Sequence, residues 1–168
     1  MPYCHSRVIR FHETDAAGVV YFANLLTLCH EAYEAALAAG GFVLSDFFSA
    51  ADDFAVPIVH TEADFYRPLR CGDRIQIQLT PKQLTPHSFE IAYALYPEAA
   101  SSEPASSKPS SSAPSASPST SQGAISKPLA TALTRHVCIS PQMRHRQALT
   151  PELIRWIATL AAPTPSTD

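Results

Sequence analysis

Asp15 is the carboxylate of this chain least like its surroundings. The run Phe11-His12-Glu13-Thr14-Asp15-Ala16-Ala17-Gly18-Val19-Val20-Tyr21-Phe22 sets it among small and apolar residues, just ahead of an apolar helical pattern. Ala16, Ala17 and Gly18 have little bulk, so backbone N–H groups there can approach a ligand closely. Backbone donors near a helix start can hold developing negative charge. A carboxylate beside them can attack a carbonyl carbon or activate a water. Together these parts suit transfer of an acyl group to water. The same Asp also reads as a turn or cap residue satisfied by its own backbone, which is the commoner use of Asp at such a place.

The other candidates divide in the same way. Thr14 points away from Asp15 if the segment is extended, which suits a residue that orients the turn. His12 flanks the pair. Tyr21, Phe22 and Phe65 could line an aromatic pocket or belong to the core. His30 fits a satisfied structural histidine or a ligand contact, and Glu34 a solvated or interface charge. His60, Glu62 and Asp64 share one face of an alternating segment. Three such groups resemble metal ligands on paper, but alternation explains them as a wet strand face, and no metal site is expected.

Positioning these groups takes one domain of ordinary size, since the chain has 168 residues and is 46% hydrophobic. A net charge of -3 and the lack of a basic stripe argue against nucleic acid. Cys4, Cys29, Cys71 and Cys138 form no CxxC pair and read as reduced thiols. The N-terminus lacks an apolar signal segment, and charges interrupt every apolar run. A cytoplasmic protein without membrane insertion is expected.

Alternation and spacing give the elements. Arg7 to Phe11 reads as a short strand. From Asn24 to Ala39, Leu25, Leu28, Cys29, Ala32, Tyr33, Ala36 and Leu37 recur at helical spacing, with Asn24 as cap and Gly40-Gly41 as stop. Ser45 to Asp52 reads as a short second helix. Strands follow at Val56 to Arg67, Arg74 to Thr80 and His87 to Tyr96, the last two joined through Thr85-Pro86-His87. Another alternating run, through Leu129, Thr131, Leu133, Arg135, Val137 and Ile139, precedes a helix from Pro151 to Leu160 capped by Thr150. Between them, residues 101 to 128 hold 12 Ser and 5 Pro. That stretch reads as a disordered insertion in a hairpin connection of the single domain. Strands gathered after a helix predict an α+β fold with an antiparallel sheet, and its open edge invites dimerisation.

The stretch Asp15-Ala16-Ala17-Gly18-Val19-Val20 resembles the active-site signature of hotdog-fold thioesterases of the 4-hydroxybenzoyl-CoA type. The wider run from Thr14 to Phe22, with Asn24-Leu25-Leu26 and Cys29-His30-Glu31-Ala32-Tyr33-Glu34, is similar to 1,4-dihydroxy-2-naphthoyl-CoA hydrolases of the cyanobacterial type. The resemblance implies a curved antiparallel sheet around the Asn24–Ala39 helix. It implies a homodimer or homotetramer with active sites at the subunit interface, and Asp15 as nucleophile or general base. A backbone amide near Tyr21 or Phe22 would polarise the thioester carbonyl, with Gly18 and the pocket side chains binding substrate. No cofactor is implied, because CoA enters as part of the substrate. The activity implied is hydrolysis of an aromatic acyl-CoA in phylloquinone synthesis. Alternatives are a broader 4-hydroxybenzoyl-CoA or fatty acyl-CoA thioesterase, or a non-catalytic acyl-CoA-binding module. Glu31 is a second carboxylate to weigh, since some hotdog thioesterases use a helix carboxylate; a structural or interface role competes. Arg67, Arg70, Lys82, Arg135, Arg144 and Arg146 are the options for meeting CoA phosphates.

Overall fold

The computed structural model describes residues 1–49, 54–98 and 127–161. Its elements are β1 (Tyr3–Val8), a single 3-10 turn (Phe11–Glu13), α1 (Phe22–Ala39), α2 (Leu44–Phe47), β2 (Ile58–Phe65), β3 (Arg74–Thr85), β4 (Ser88–Pro97), β5 (Ala130–Val137) and α3 (Pro151–Leu160). The five strands make one curved antiparallel sheet in the order β1-β3-β4-β5-β2. The fold is α+β, with α1 packed on one face of that sheet.

α1 buries Leu25, Leu28, Cys29, Ala32, Tyr33, Ala36 and Leu37, the seven positions that helical spacing picks out. Facing them, β3 contributes Ile75, Ile77 and Leu79 and β4 contributes Phe89, Ile91, Tyr93 and Leu95, all buried. The predicted alternation of both strands therefore holds. The hairpin connection does too, with Thr85 opposite Ser88. α3 starts as expected: Thr150 Oγ1 accepts from Leu153 N–H at 3.3 Å, and Pro151 stands at the first helical position.

Four local expectations need correction. The first strand runs Tyr3–Val8, not Arg7 to Phe11, because Glu13 Oε2 accepts from Arg10 N–H and Thr14 N–H bonds Phe11 O, closing a 3-10 turn there. Asn24 is not the cap of α1: the helix begins at Phe22, and the Asn24 amide donates to Glu13 O instead. The second helix is confined to Leu44–Phe47, and the predicted extension falls partly on residues 50–53, outside the described residues. In β5 the inward side chains are Ala130, Ala132, Thr134 and His136, not the Leu129-to-Ile139 set.

The Ser/Pro-rich stretch lies outside the described residues apart from Lys127 and Pro128. The strands on either side of it, β4 and β5, are paired directly, with Leu95 opposite Ala130. β2 is an edge strand exposed along its whole length.

The end of α1 is locked by α3. Trp156 donates its indole N–H to Ala36 O at 3.0 Å. A Cβ added at Gly40 would lie 2.4 Å from Trp156 Cδ1, so only glycine fits beneath that ring. Gly40→Ala is expected to cost about 1–3 kcal/mol by overpacking. Denaturant titration should show the lower midpoint, and an unchanged midpoint would show that the indole moves freely.

Candidate active site

The Asp15 loop is held as a small frame. Thr14 and Val20 pair across it, Asp15 N–H donates to Val19 O at 2.9 Å, and Val20 N–H donates to Leu69 O at 2.8 Å. Within the frame Gly18 takes φ +73°, a left-handed conformation that side chains disfavour, and its N–H closes the turn onto Asp15 O. Thr14 Oγ1 donates to Phe11 O, so Thr14 orients the preceding turn.

Glu13 anchors the frame from below. Its carboxylate is buried and takes Arg7 Nη2 at 2.5 Å and Arg10 N–H at 2.6 Å. Its backbone carbonyl accepts from Tyr21 N–H and from the Asn24 side chain, both at 2.9 Å. The sequence alone gave no reason to single out Glu13, because its partners lie six residues before it and eleven after it.

Asp15 is exposed on this single chain. Its Oδ1 accepts from Ala17 N–H at 2.8 Å, and among the described residues Oδ2 has no partner. The turn reading is realised, since the side chain stabilises the turn through Oδ1. It opens onto a cavity of about 400 Å³ that Tyr21, Phe22, Phe65, Tyr66 and Arg67 also line. Val19, Val20, Pro68 and Leu69 complete a mainly apolar lining in which Arg67 is the one cation.

The amide expectation narrows. The N–H groups of Gly18 and Tyr21 are both committed to backbone carbonyls, so neither is available to a ligand. Phe22 and Ala23 begin α1, where backbone donors have no partner within the helix, and neither N–H meets an acceptor among the described residues. They carry the positive end of the helix dipole towards the cavity. Tyr21 and Phe22 contribute their side chains to its wall.

Glu31 does not line this cavity; it bonds Arg7 Nη1 and lies 3.1 Å from His5 Nε2. Its geometry is that of a residue tying α1 to β1. Glu34 pairs with His30 at 3.0 Å. His60 and Glu62 stand 3.7 Å apart on exposed β2. Among the described residues no three His, Cys, Asp or Glu side chains form a metal-holding group. Of the cations considered for CoA, Arg67 alone lines the Asp15 cavity, where its Nη2 also bonds Lys127 O. Arg135 is engaged with Glu90.

A buried polar chain lies deeper, at a position the inverted β5 reading concealed. Thr134 Oγ1 is 2.9 Å from His136 Nε2 and 3.3 Å from Tyr93 Oη, and His136 Nδ1 is 3.2 Å from Val56 O. The His136 ring stacks on Phe89 with centroids 4.7 Å apart. Burial, with only partial relief from the Val56 carbonyl, pushes the His136 pKa down to about 4. The unfolded chain takes up that proton near pH 6.5 while the native state refuses it. Stability from this site is therefore complete above pH 6.5 and falls as pH drops towards 4, by about 3 kcal/mol in all. Unfolding midpoints at pH 7 and pH 5 should differ less in His136→Gln than in the parent chain; equal slopes would contradict a neutral buried imidazole.

A sheet curved around one apolar helix, with the Asp15 loop at the helix start, is a hotdog fold. The chain belongs to the Thioesterase-like superfamily, whose model matches residues 9–157. The curated 1,4-dihydroxy-2-naphthoyl-CoA hydrolase of Crocosphaera subtropica is 42% identical over 153 residues, 91% of this chain and 93% of that one. The protein of the same name from Rippkaea orientalis is 45% identical over 153 residues, again 91% and 93% of the two chains. The crystal structure of a 1,4-dihydroxy-2-naphthoyl-CoA thioesterase from Synechocystis superposes with a TM-score of 0.74 at 32% identity, covering 97% of this chain and 100% of that one. No helix of the described residues is long and apolar enough to cross a membrane.

Proposed function

We propose that this chain hydrolyses 1,4-dihydroxy-2-naphthoyl-CoA to 1,4-dihydroxy-2-naphthoate and CoA, a step of phylloquinone synthesis, with Asp15 as its catalytic carboxylate. The observation that carries the chemistry is Asp15 itself, clamped through one oxygen and lining a cavity that begins at the α1 N-terminus. Relatives above 40% identity that carry this activity in their names support the substrate.

The thioester carbonyl oxygen would be met by Phe22 N–H, which becomes a stronger partner as that oxygen gains charge. In one route Asp15 takes a proton from water as the water oxygen bonds the carbonyl carbon. The C–S bond then breaks and the proton passes to the departing thiolate. In the other route Asp15 attacks the carbonyl carbon and expels the thiolate, and water then cleaves the acyl-aspartyl anhydride. Arg67, which lines the same cavity, would meet a CoA phosphate.

A second copy of the chain would complete the site. Ile58, Val59, Phe65 and Tyr66 expose apolar surface along or just beyond edge strand β2, and Tyr21 and Phe22 continue it beside Asp15. An unpaired strand edge with such a surface pairs readily with its own copy.

The purified protein should release free CoA from the dihydroxynaphthoyl thioester faster than from straight-chain acyl-CoAs. Preference for straight-chain substrates would replace this reading with a broader thioesterase. Binding without hydrolysis of any thioester would leave a non-catalytic module. Light scattering should show a dimer or a multiple of it.

A further inference from the structure

A second cavity, of about 340 Å³, is lined by Leu26, Thr27 and His30 of α1, Ile58 and Thr61 of β2, Tyr93 of β4 and Thr134 of β5. The Asp15 cavity uses Phe22 and Phe65 of the same two elements. Phe22 to Leu26 is one helical turn, about 6 Å of rise, and Phe65 to Thr61 steps back along β2 in the same direction. The second cavity therefore follows the first along α1 and β2; Leu26 and Ile58 are its apolar side chains, Thr27, His30 and Thr61 are polar, and Tyr93 and Thr134 are two hydroxyls in contact with each other.

The hydroxyls have a direction. Val56 O can only accept, so His136 Nδ1 carries the proton of that contact. A neutral imidazole has one N–H, so Nε2 accepts, and it accepts from Thr134 Oγ1–H. With its proton spent, Thr134 Oγ1 accepts from Tyr93 Oη–H. Every proton in the chain thus points inward to Val56. What Tyr93 and Thr134 have left for the cavity is lone pairs.

We propose that this second cavity is the aryl subsite of the thioesterase and that Tyr93, backed by Thr134 and His136, accepts a hydrogen bond from the ring hydroxyl remote from the thioester. The inference rests on the dihydroxynaphthoyl reading above and adds to it a reason for the hydroxyl. The Tyr93 acceptor is left unpaired by a ring that lacks the donor, at the cost of about one buried hydrogen bond. A ring carbonyl or ether set against Tyr93 makes no such bond, since neither can donate.

The test compares kcat/KM for three thioesters: 1,4-dihydroxy-2-naphthoyl-CoA, 1-hydroxy-2-naphthoyl-CoA and 1-hydroxy-4-methoxy-2-naphthoyl-CoA. The parent protein should prefer the first over each of the others by about tenfold, the worth of one buried hydrogen bond. Tyr93→Phe should bring the preference over 1-hydroxy-2-naphthoyl-CoA close to unity by losing activity on the dihydroxy substrate alone. Thr134→Val, which cuts the relay one step further in, should lower it in part. The ligand comparison in the parent protein stands even if a variant fails to fold. A parent that turns over all three equally, or a folded Tyr93→Phe with undiminished preference, overturns the subsite while leaving the thioesterase intact. Hydrolysis of none of the three overturns the thioesterase reading itself and the subsite with it.

Discussion

Asp15→Asn should lower turnover of the dihydroxynaphthoyl thioester by roughly 10²–10⁴-fold, the usual worth of a positioned general base, and leave the melting temperature within a few degrees. The reason lies in how the side chain is held. Its Oδ1 accepts from Ala17 N–H, and an Asn carbonyl oxygen can take over that contact. The turn, the Thr14–Val20 pairing and the mouth of the cavity then survive. What is lost is the charge and basicity of the other oxygen. Asp15→Ala is the less informative change, since it also deletes the turn acceptor at a cost of about 1 kcal/mol. Steady-state kinetics on the Asn variant, with circular dichroism to verify the fold, decides the matter. Full activity in that variant would reduce Asp15 to the turn residue that residue chemistry alone favours. If Asp15 is a nucleophile and water opens the anhydride at the aspartyl carbon, single turnover in ¹⁸O-water followed by proteolysis places the label on Asp15, which a general base never acquires.

The sequence carried the parts of this fold that depend on short-range pattern. α1 shows its buried face because seven apolar residues recur over eighteen positions and each one is decided by the same sheet. β3 and β4 show theirs because apolar and polar residues alternate cleanly. β5 does not, since both of its faces carry apolar residues and local pattern cannot rank them. The deciding fact is what occupies the space opposite. Tyr33 and Phe89 fill it, so the strand turns small side chains and one flat ring inward, His136 lying 4.7 Å from Phe89 and 5.2 Å from Tyr33. The polar chain under the groove was hidden for that reason. Which of two neighbouring amides is free was hidden for a similar reason. Tyr21 and Phe22 are adjacent and indistinguishable by type, and only the long-range bond from Tyr21 N–H to Glu13 O removes one of them. The Asp15 turn was legible because its signal is local: small residues beside it and an apolar helix after it.

Glu13→Ala is expected to destabilise the protein by on the order of 3 kcal/mol, which is roughly 10 °C for a domain of this size, and to lower kcat well before it unfolds the chain. Glu13 and Arg7 each keep only about a tenth of their side-chain surface exposed. Removing one member of so buried a pair leaves a charge without its counterion, at about 3–5 kcal/mol in the general case. The figure here sits at the low end, because Glu31 still meets Arg7. The Arg10 N–H loses its acceptor as well, so the 3-10 turn loosens at its first residue. The kinetic effect follows from the backbone. Glu13 O holds Tyr21 N–H and the Asn24 amide, and those two bonds set where α1 begins and hence where Phe22 N–H points. Slack in that carbonyl shifts the amide relative to Asp15, and a displacement of about 1 Å in such a pair can cost on the order of 10²-fold in rate. KM should move less than kcat, since the apolar walls of Phe65 and Tyr66 come from a different part of the chain. Glu13→Gln keeps an acceptor for Arg10 N–H and should recover part of both losses, whereas a change that was merely steric would be rescued fully. A Glu13→Ala protein that melts like the parent and turns over at the parent's rate would show that the Asp15 frame is held by its backbone pairing alone.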